Sequence, residues 1–311
     1  MENIQIRQIF YSEITRGQCD PGFLLLDNST NLRPDWREYW PIRQYFAAEP
    51  PQPGVAYGFF SPKFGAKTGL APSDVRAFVS EYDADVYLFS PYFDHSAYYR
   101  NVFEQAEANH PGILPTLERA FALFPRGESI NTMVMSSCDT VFSNYFVADG
   151  RFWDVWLTCC EMLFDIAEDG RTDVGLALVA DAPYVHAQAE AKVFAMERVA
   201  SFLLNTGDWR VCVYDPMRLP LSDSFAAPYP AELCVLDALK IAYQHTGREQ
   251  YLERFDELRA NILSMASSEL EEDQRTSGGG SPEENAGVSW SVTERMMSAF
   301  RPLGRLAGKR R

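Results

Sequence analysis

Two stretches decide the fold: Val55-Ala56-Tyr57-Gly58-Phe59-Phe60-Ser61-Pro62 and Asp85-Val86-Tyr87-Leu88-Phe89-Ser90-Pro91. Each is a short apolar run, rich in aromatic and β-branched residues, cut off by Ser-Pro. Such runs read as strands. Working outward, Ser73 to Val79 reads as a short helix between them, with Ser73 as its N-cap. Upstream, Ile4, Ile6 and Gln8 alternate with Gln5 and Arg7 before Ile9-Phe10-Tyr11, a first strand. Phe23-Leu24-Leu25-Leu26 is a second, buried strand ending at Asp27-Asn28. Pro34 through Phe46 reads as a helix, with Trp36, Tyr39, Trp40 and Arg43 at helical spacing. Strands alternating with helices predict an α/β protein, a mostly parallel sheet covered on both faces.

The second half is more helical. Phe152 to Ala167 carries an apolar stripe of Phe152, Trp156, Cys159, Leu163 and Ile166. Further helices are expected over Ala187 to Leu204, Ala231 to Tyr243 and Arg248 to Met265. The Ser-, Gly- and Glu-rich run that follows has little to bury and reads as a flexible linker. The expected organisation is a folded domain over 1–265, a linker over 266–288 and a basic amphipathic tail over 289–311. In that tail Val292, Met296, Ala299, Leu303 and Leu306 share one helical face, and six bases face one acid. This pattern suits an anionic membrane surface, so peripheral attachment to the inner membrane is expected through it. Pro302 would kink the helix at Arg301.

The chain of 311 residues has 43 acidic and 28 basic residues, a net charge of −15. Phosphates would repel it, so nucleic acid is not an expected partner. The tail alone is +5, which leaves −20 on the remainder. The N-terminal residues carry charge early and show no apolar signal-peptide core. The six cysteines form no CxxC pair. They read as reduced, mostly buried thiols of a cytoplasmic protein, and no metal site is expected.

In an open parallel sheet, ligands bind beyond the carboxyl ends of the strands. Here those ends are Tyr11-Ser12-Glu13, Asp27 to Asn31, Ser61 to Gly65 and Ser90 to Asp94. Carboxylates, amides, hydroxyls and a lysine thus meet on one rim, the mixture that nucleotides and sugars require. The GxGxxG, GxxxxGK[ST] and GxSxG motifs are absent, which disfavours dinucleotide, P-loop and α/β-hydrolase chemistry. Asp83-Ala84-Asp85 has the form of a metal-binding DxD but precedes a strand, so a solvated turn is expected. Of the histidines, His110 and His186 stand out.

The order of these features resembles a bacterial family of capsular and exopolysaccharide glycosyltransferases with a GT-A-like fold. The resemblance is carried by Asp27-Asn28-Ser29-Thr30-Asn31 before Trp36-Arg37-Glu38-Tyr39-Trp40, by Tyr57 to Phe64 and by Val102-Phe103-Glu104-Gln105 with His110. It continues through Asn144 to Ala148, Cys160 to Ile166, and Lys192 to Val199. About 180 residues are covered. A basic His-Tyr-Arg-Arg patch of the family is replaced here by Ser61-Pro62-Lys63-Phe64. The resemblance implies transfer of a sugar from a nucleotide-sugar donor, a UDP-sugar foremost, to a glycan or lipid-linked glycan acceptor. Together with the rim argument it assigns Tyr11, Ser12, Asp27, Asn28 and Asn31 to the nucleotide. Lys63, with Lys67 second, would supply positive charge where a DxD-bound metal usually does; a divalent metal is left open. Glu104 and Asp139, with Asp94 third, are candidates for deprotonating the acceptor, and Asp94, His110 and Asn144 would line its side. Glu197 and Arg198 read equally as a salt bridge or as part of the site. The alternative is an inactive GT-A-like scaffold in a polysaccharide assembly complex; a sulfotransferase is disfavoured by the missing phosphate loop.

Overall fold

The computed structural model describes residues 3–125, 129–182 and 189–276. Its strands are β1 (Asn3–Phe10), β2 (Leu24–Asp27), β3 (Val55–Phe60), β4 (Val86–Leu88) and β5 (Phe146–Asp149), then a small ribbon of β6 (Asp181–Ala182) with β7 (Ala189–Glu190), and β8 (Val211–Val213). The helices are α1 (Glu13–Arg16), α2 (Tyr39–Ala48), α3 (Phe64–Thr68), α4 (Pro72–Glu81), α5 (Phe93–Tyr98), α6 (Val102–Asn109), α7 (Leu114–Phe121), α8 (Gly150–Asp169), α9 (Asp173–Val179), α10 (Ala191–Thr206), α11 (Pro230–Thr246) and α12 (Glu249–Thr276).

Six strands form one sheet in the order β2-β1-β3-β5-β4-β8. β1 pairs in parallel with β2 and β3, and β4 with β8. β5 is inserted between β3 and β4 and runs antiparallel to both. The protein is therefore α/β with a mostly parallel sheet flanked by helices, as the apolar runs predict. The reversed strand is the unpredicted part.

Period-two alternation assigns the two faces. Val55, Tyr57 and Phe59 of β3 join Val86, Leu88, Phe146 and Ala148 in the larger core, which α2 and α6 to α10 cover. Ala56 and Phe60 join Ile6, Tyr87, Phe89 and Val147 in the smaller core under α3 and α4. With both faces covered, all six β3 residues are buried, which is why the run shows no polar alternation. A third cluster packs α5 against α11 and α12 through Phe93, Tyr98, Leu233, Leu236 and Phe255.

Four expectations are corrected. β2 is an edge strand instead of a buried one, and Leu24 and Leu25 are nearly half exposed. The helix expected from Pro34 is a single 3-10 turn, Pro34–Trp36, then a break at Arg37 and α2. Cys159 and Cys160 are buried, but Cys138 and Cys234 are exposed. The last helix does not end at Met265: its ladder continues to Thr276, because Ser267 to Thr276 holds several good helix formers and no Gly or Pro. The remainder of the linker, the tail and His186 lie outside the described residues. No helix among those described is long and apolar enough to cross a membrane.

Candidate active site

The parallel strands β1, β2, β3 and β4 end on one edge of the sheet. Because β5 is reversed, its start lies on that edge too, so Ser143-Asn144-Tyr145 joins Tyr11, Asn28, Ser61 and Tyr92 there. Among the described residues, the non-glycine residues with positive φ are Asn31, Arg37, Tyr92, Ser143 and Asn144. All five lie in segments at this edge. Left-handed backbone costs an L-residue on the order of 1 kcal/mol or more, and such strain gathers at functional sites.

One cavity, of about 120 Å³, lies beyond β1 and β3 and is lined by Tyr11, Asn28, Asn31, Arg37, Glu38 and Ser61. The turn carrying Arg37 and Glu38 is pinned from below. Arg33 pairs with Asp35 and Glu168, Lys192 pairs with Asp35 at 2.8 Å, and the Trp36 indole N–H donates to Glu168. A second cavity, of about 350 Å³, is lined by Lys67, Tyr92, Pro220, Leu221, Ser222 and Asp223. Lys67 relates the two. Its Nζ donates to Ser143 Oγ at 2.9 Å and lies 5.8 Å from the centre of the Tyr145 ring. Burial lowers its pKa below that of an ordinary lysine, Lys63 adds to that effect, and Glu197 and Glu38 oppose it. The Tyr145 and Ser61 hydroxyls are 2.6 Å apart.

Glu197 and Arg198 separate. Successive helical side chains diverge by about 100°. Arg198 turns into the core, donating to the carbonyls of Val102 and Phe194 and to Gln105. Glu197 turns outward. Its carboxyl pKa is raised, chiefly by burial among protein atoms, with Glu38 adding to the rise and Arg198, Lys67 and Arg37 opposing it. Yet 44% of its side-chain surface stays open. Glu197 is in the lining of neither cavity.

The structure brings some of the expected residues to this edge and commits others elsewhere. Tyr11, Asn28 and Asn31 line the first cavity. Ser12 is occupied in capping α1 by accepting from the Thr15 amide. Asp27 is exposed and accepts from the Ser29 amide, which lowers its pKa. Lys63 is exposed at the start of α3, one helical turn from Lys67. Asn144 lies at the edge with its Oδ1 buried and without a hydrogen-bond partner among the described residues. Glu104 ties α6 to α12: it accepts from Arg259 at 2.7 Å and from the Arg100 amide. Asp139 is buried and accepts from the Ser136 amide, Asn205 and Gln244. Asp94 is fully buried and accepts from the Ser222 amide at 3.0 Å and from the Ser222 and Ser224 hydroxyls. It thereby fixes the loop that walls the second cavity. His110 is buried at the end of α6, its ring centre 4.0 Å from that of Phe194. The carboxylates that line the two cavities are Glu38 in the first and Asp223 in the second.

Asp83 and Asp85 sit at the opposite edge. Asp83 is a solvated partner of Arg210, but Asp85 is nearly buried between Arg151 and Arg210. Among the described residues, no three His, Cys, Asp or Glu side chains are grouped so as to hold a metal ion. Arg37 and Glu38 are the residues that the sequence reading missed; they looked like the polar face of a continuous helix, and only the break at Arg37 aims them at the cavity. The chain matches no family model, no curated protein and no solved structure.

Proposed function

We propose that the protein is a nucleotide-sugar-dependent glycosyltransferase of GT-A-like fold. It would move a sugar, from a UDP-sugar foremost, to a bacterial glycan or lipid-linked glycan. One observation carries the reading: a half-buried lysine lines one of two cavities where the strands end, and Tyr145 and Ser61 connect it to the other. The amides of Asn28 and Asn31, the Tyr11 ring and Glu38 suit a base and ribose, whose hydroxyls and ring nitrogens need both donors and acceptors. Lys67 suits the diphosphate. A cation held in place by a hydrogen bond and partly desolvated stabilises charge developing on a leaving group more than one in water. The reading thus assigns the positive charge to Lys67, one turn beyond Lys63.

A thermal-shift and calorimetric screen against UDP-, GDP-, CMP- and dTDP-sugars, with and without magnesium or manganese, tests the reading. At a hundredfold excess over Kd, binding adds about 2.7 kcal/mol to stability, a shift of several degrees. Lys67→Met should weaken donor binding at least about tenfold, the equivalent of ~1.4 kcal/mol, and Lys63→Ala much less. No response to any donor at millimolar concentration would favour the scaffold reading instead.

A further inference from the structure

We propose that the second cavity seats the acceptor, and that what enters it is a neutral sugar: Tyr92 packs against the ring and Asp223 accepts from its hydroxyls. That this sugar is an acceptor rests on the glycosyltransferase reading above; that a neutral sugar binds there rests on the cavity alone.

Three segments build this cavity. Ala66 and Lys67 come from α3, Tyr92 caps the start of α5, and Pro220 to Asp223 belong to the loop before α11. The segments are tied to one another. The Tyr92 amide donates to the Pro220 carbonyl at 3.1 Å, and Tyr92 holds left-handed backbone there, with φ 67°. Asp94, whose side chain has no exposed surface, anchors the loop. It accepts from the Ser222 amide at 3.0 Å and from the Ser222 and Ser224 hydroxyls. Those two serines are thereby committed to Asp94. Asp223, between them, is exposed, lines the cavity and makes no hydrogen bond or ion pair with any described residue. A fully buried carboxylate is costly, and the bonds of this one hold a single acid of a surface loop at a cavity wall.

The lining joins two chemistries. Ala66, Pro220, Leu221 and the Tyr92 ring are apolar, while Lys67 and Asp223 carry opposite charges. A sugar ring has matching halves: a C–H face that packs on an aromatic ring, and a rim of hydroxyls that donate to a carboxylate. Hydroxyls bond a carboxylate more strongly than a neutral oxygen. Charge then selects the class of sugar. An acidic sugar or a phosphate would bring a second negative charge to Asp223. The cation among the described lining residues, Lys67, already donates to Ser143 Oγ at 2.9 Å and serves the donor diphosphate in the reading above. The cavity, about 350 Å³, lies at the small end of the range for small-molecule sites, about 300–1,000 Å³. That suits the end of a glycan rather than a long stretch of it.

The test uses the full chain without donor. Methyl glucoside, methyl galactoside, methyl mannoside and methyl glucuronide are titrated and followed by ligand-observed NMR. At least one neutral glycoside should bind at millimolar concentration, and the glucuronide should bind about fivefold or more weakly than that glycoside. Asp223→Asn should keep the melting temperature, weaken the neutral glycoside about fivefold or more and narrow its lead over the glucuronide. Tyr92→Leu should weaken the neutral glycoside by about fivefold too. Three results overturn the proposal: no neutral glycoside bound at tens of millimolar, a glucuronide that binds as well or better, or an Asp223→Asn protein within about twofold of wild type. Glycoside binding by a protein that answers no nucleotide sugar keeps the sugar site and removes its role as acceptor along with the transferase reading. Donor binding without glycoside binding overturns the sugar site and leaves the transferase reading in place.

Discussion

Asp139 shows how far a residue's type and its task can diverge. It has the chemistry of a base, and burial raises its pKa to about 6 from an ordinary 3.8. Its oxygens, however, are held by Ser136, Asn205 and Gln244. Between about pH 4 and pH 6 the folded protein keeps a proton there that the unfolded chain has lost. This group's contribution to stability therefore falls as pH rises through that window and is flat above it. Asp139→Asn removes the titration. The stability of wild type relative to Asp139→Asn should be greatest near pH 4 and shrink by on the order of 2–3 kcal/mol by pH 7, as read from urea midpoints. A difference that does not change with pH would show that Asp139 does not titrate in this range. The sequence could nominate Glu104 and Asp139, but their partners Arg259 and Gln244 stand more than a hundred residues away and leave no local trace. Glu197 was separable from Arg198 only once the helix had a core side and an exposed side.

At the scale of elements, apolar runs located β1 to β4 and the long helices within a few residues. They could not reveal how many neighbours a strand has. Phe23 to Leu26 looks as buried as Val86 to Phe89, yet β2 has a partner on one side only. The direction of β5 is likewise invisible in a run that reads the same either way. Where α8 begins, packing is legible in one atom. A Cβ on Gly150 would fall 2.2 Å from the Gln52 carbonyl oxygen, a backbone atom that cannot swing aside. Gly150→Ala should cost about 3 kcal/mol or more, since overpacking against a fixed neighbour exceeds the usual core penalty. Gly65→Ala, in α3, meets only one atom, at 3.9 Å, and should raise stability by about 0.5–1 kcal/mol. Denaturant midpoints of the two variants should move in opposite directions.

At the scale of the whole molecule, charge is divided: net −15 overall, with +5 on residues 289–311. Each base near an anionic bilayer contributes about 1 kcal/mol, screened by salt. The full chain should sediment with phosphatidylserine vesicles at low salt, and a chain lacking residues 289–311 should remain in solution; equal sedimentation of both would remove the tether. The order of the sheet has a consequence for synthesis. β3 and β4 are made early, but they never touch, since β5 lies between them. As the chain leaves the ribosome, its first ninety residues hold one part-sheet, β2-β1-β3, with an open β3 edge, and a lone strand β4, whose other neighbour β8 is made later still. These can be joined only when residues 146–149 arrive and slot in backwards. Closure is thus a late, long-range event, which sets a slow folding step and leaves a window in which either open edge could pair with another nascent chain.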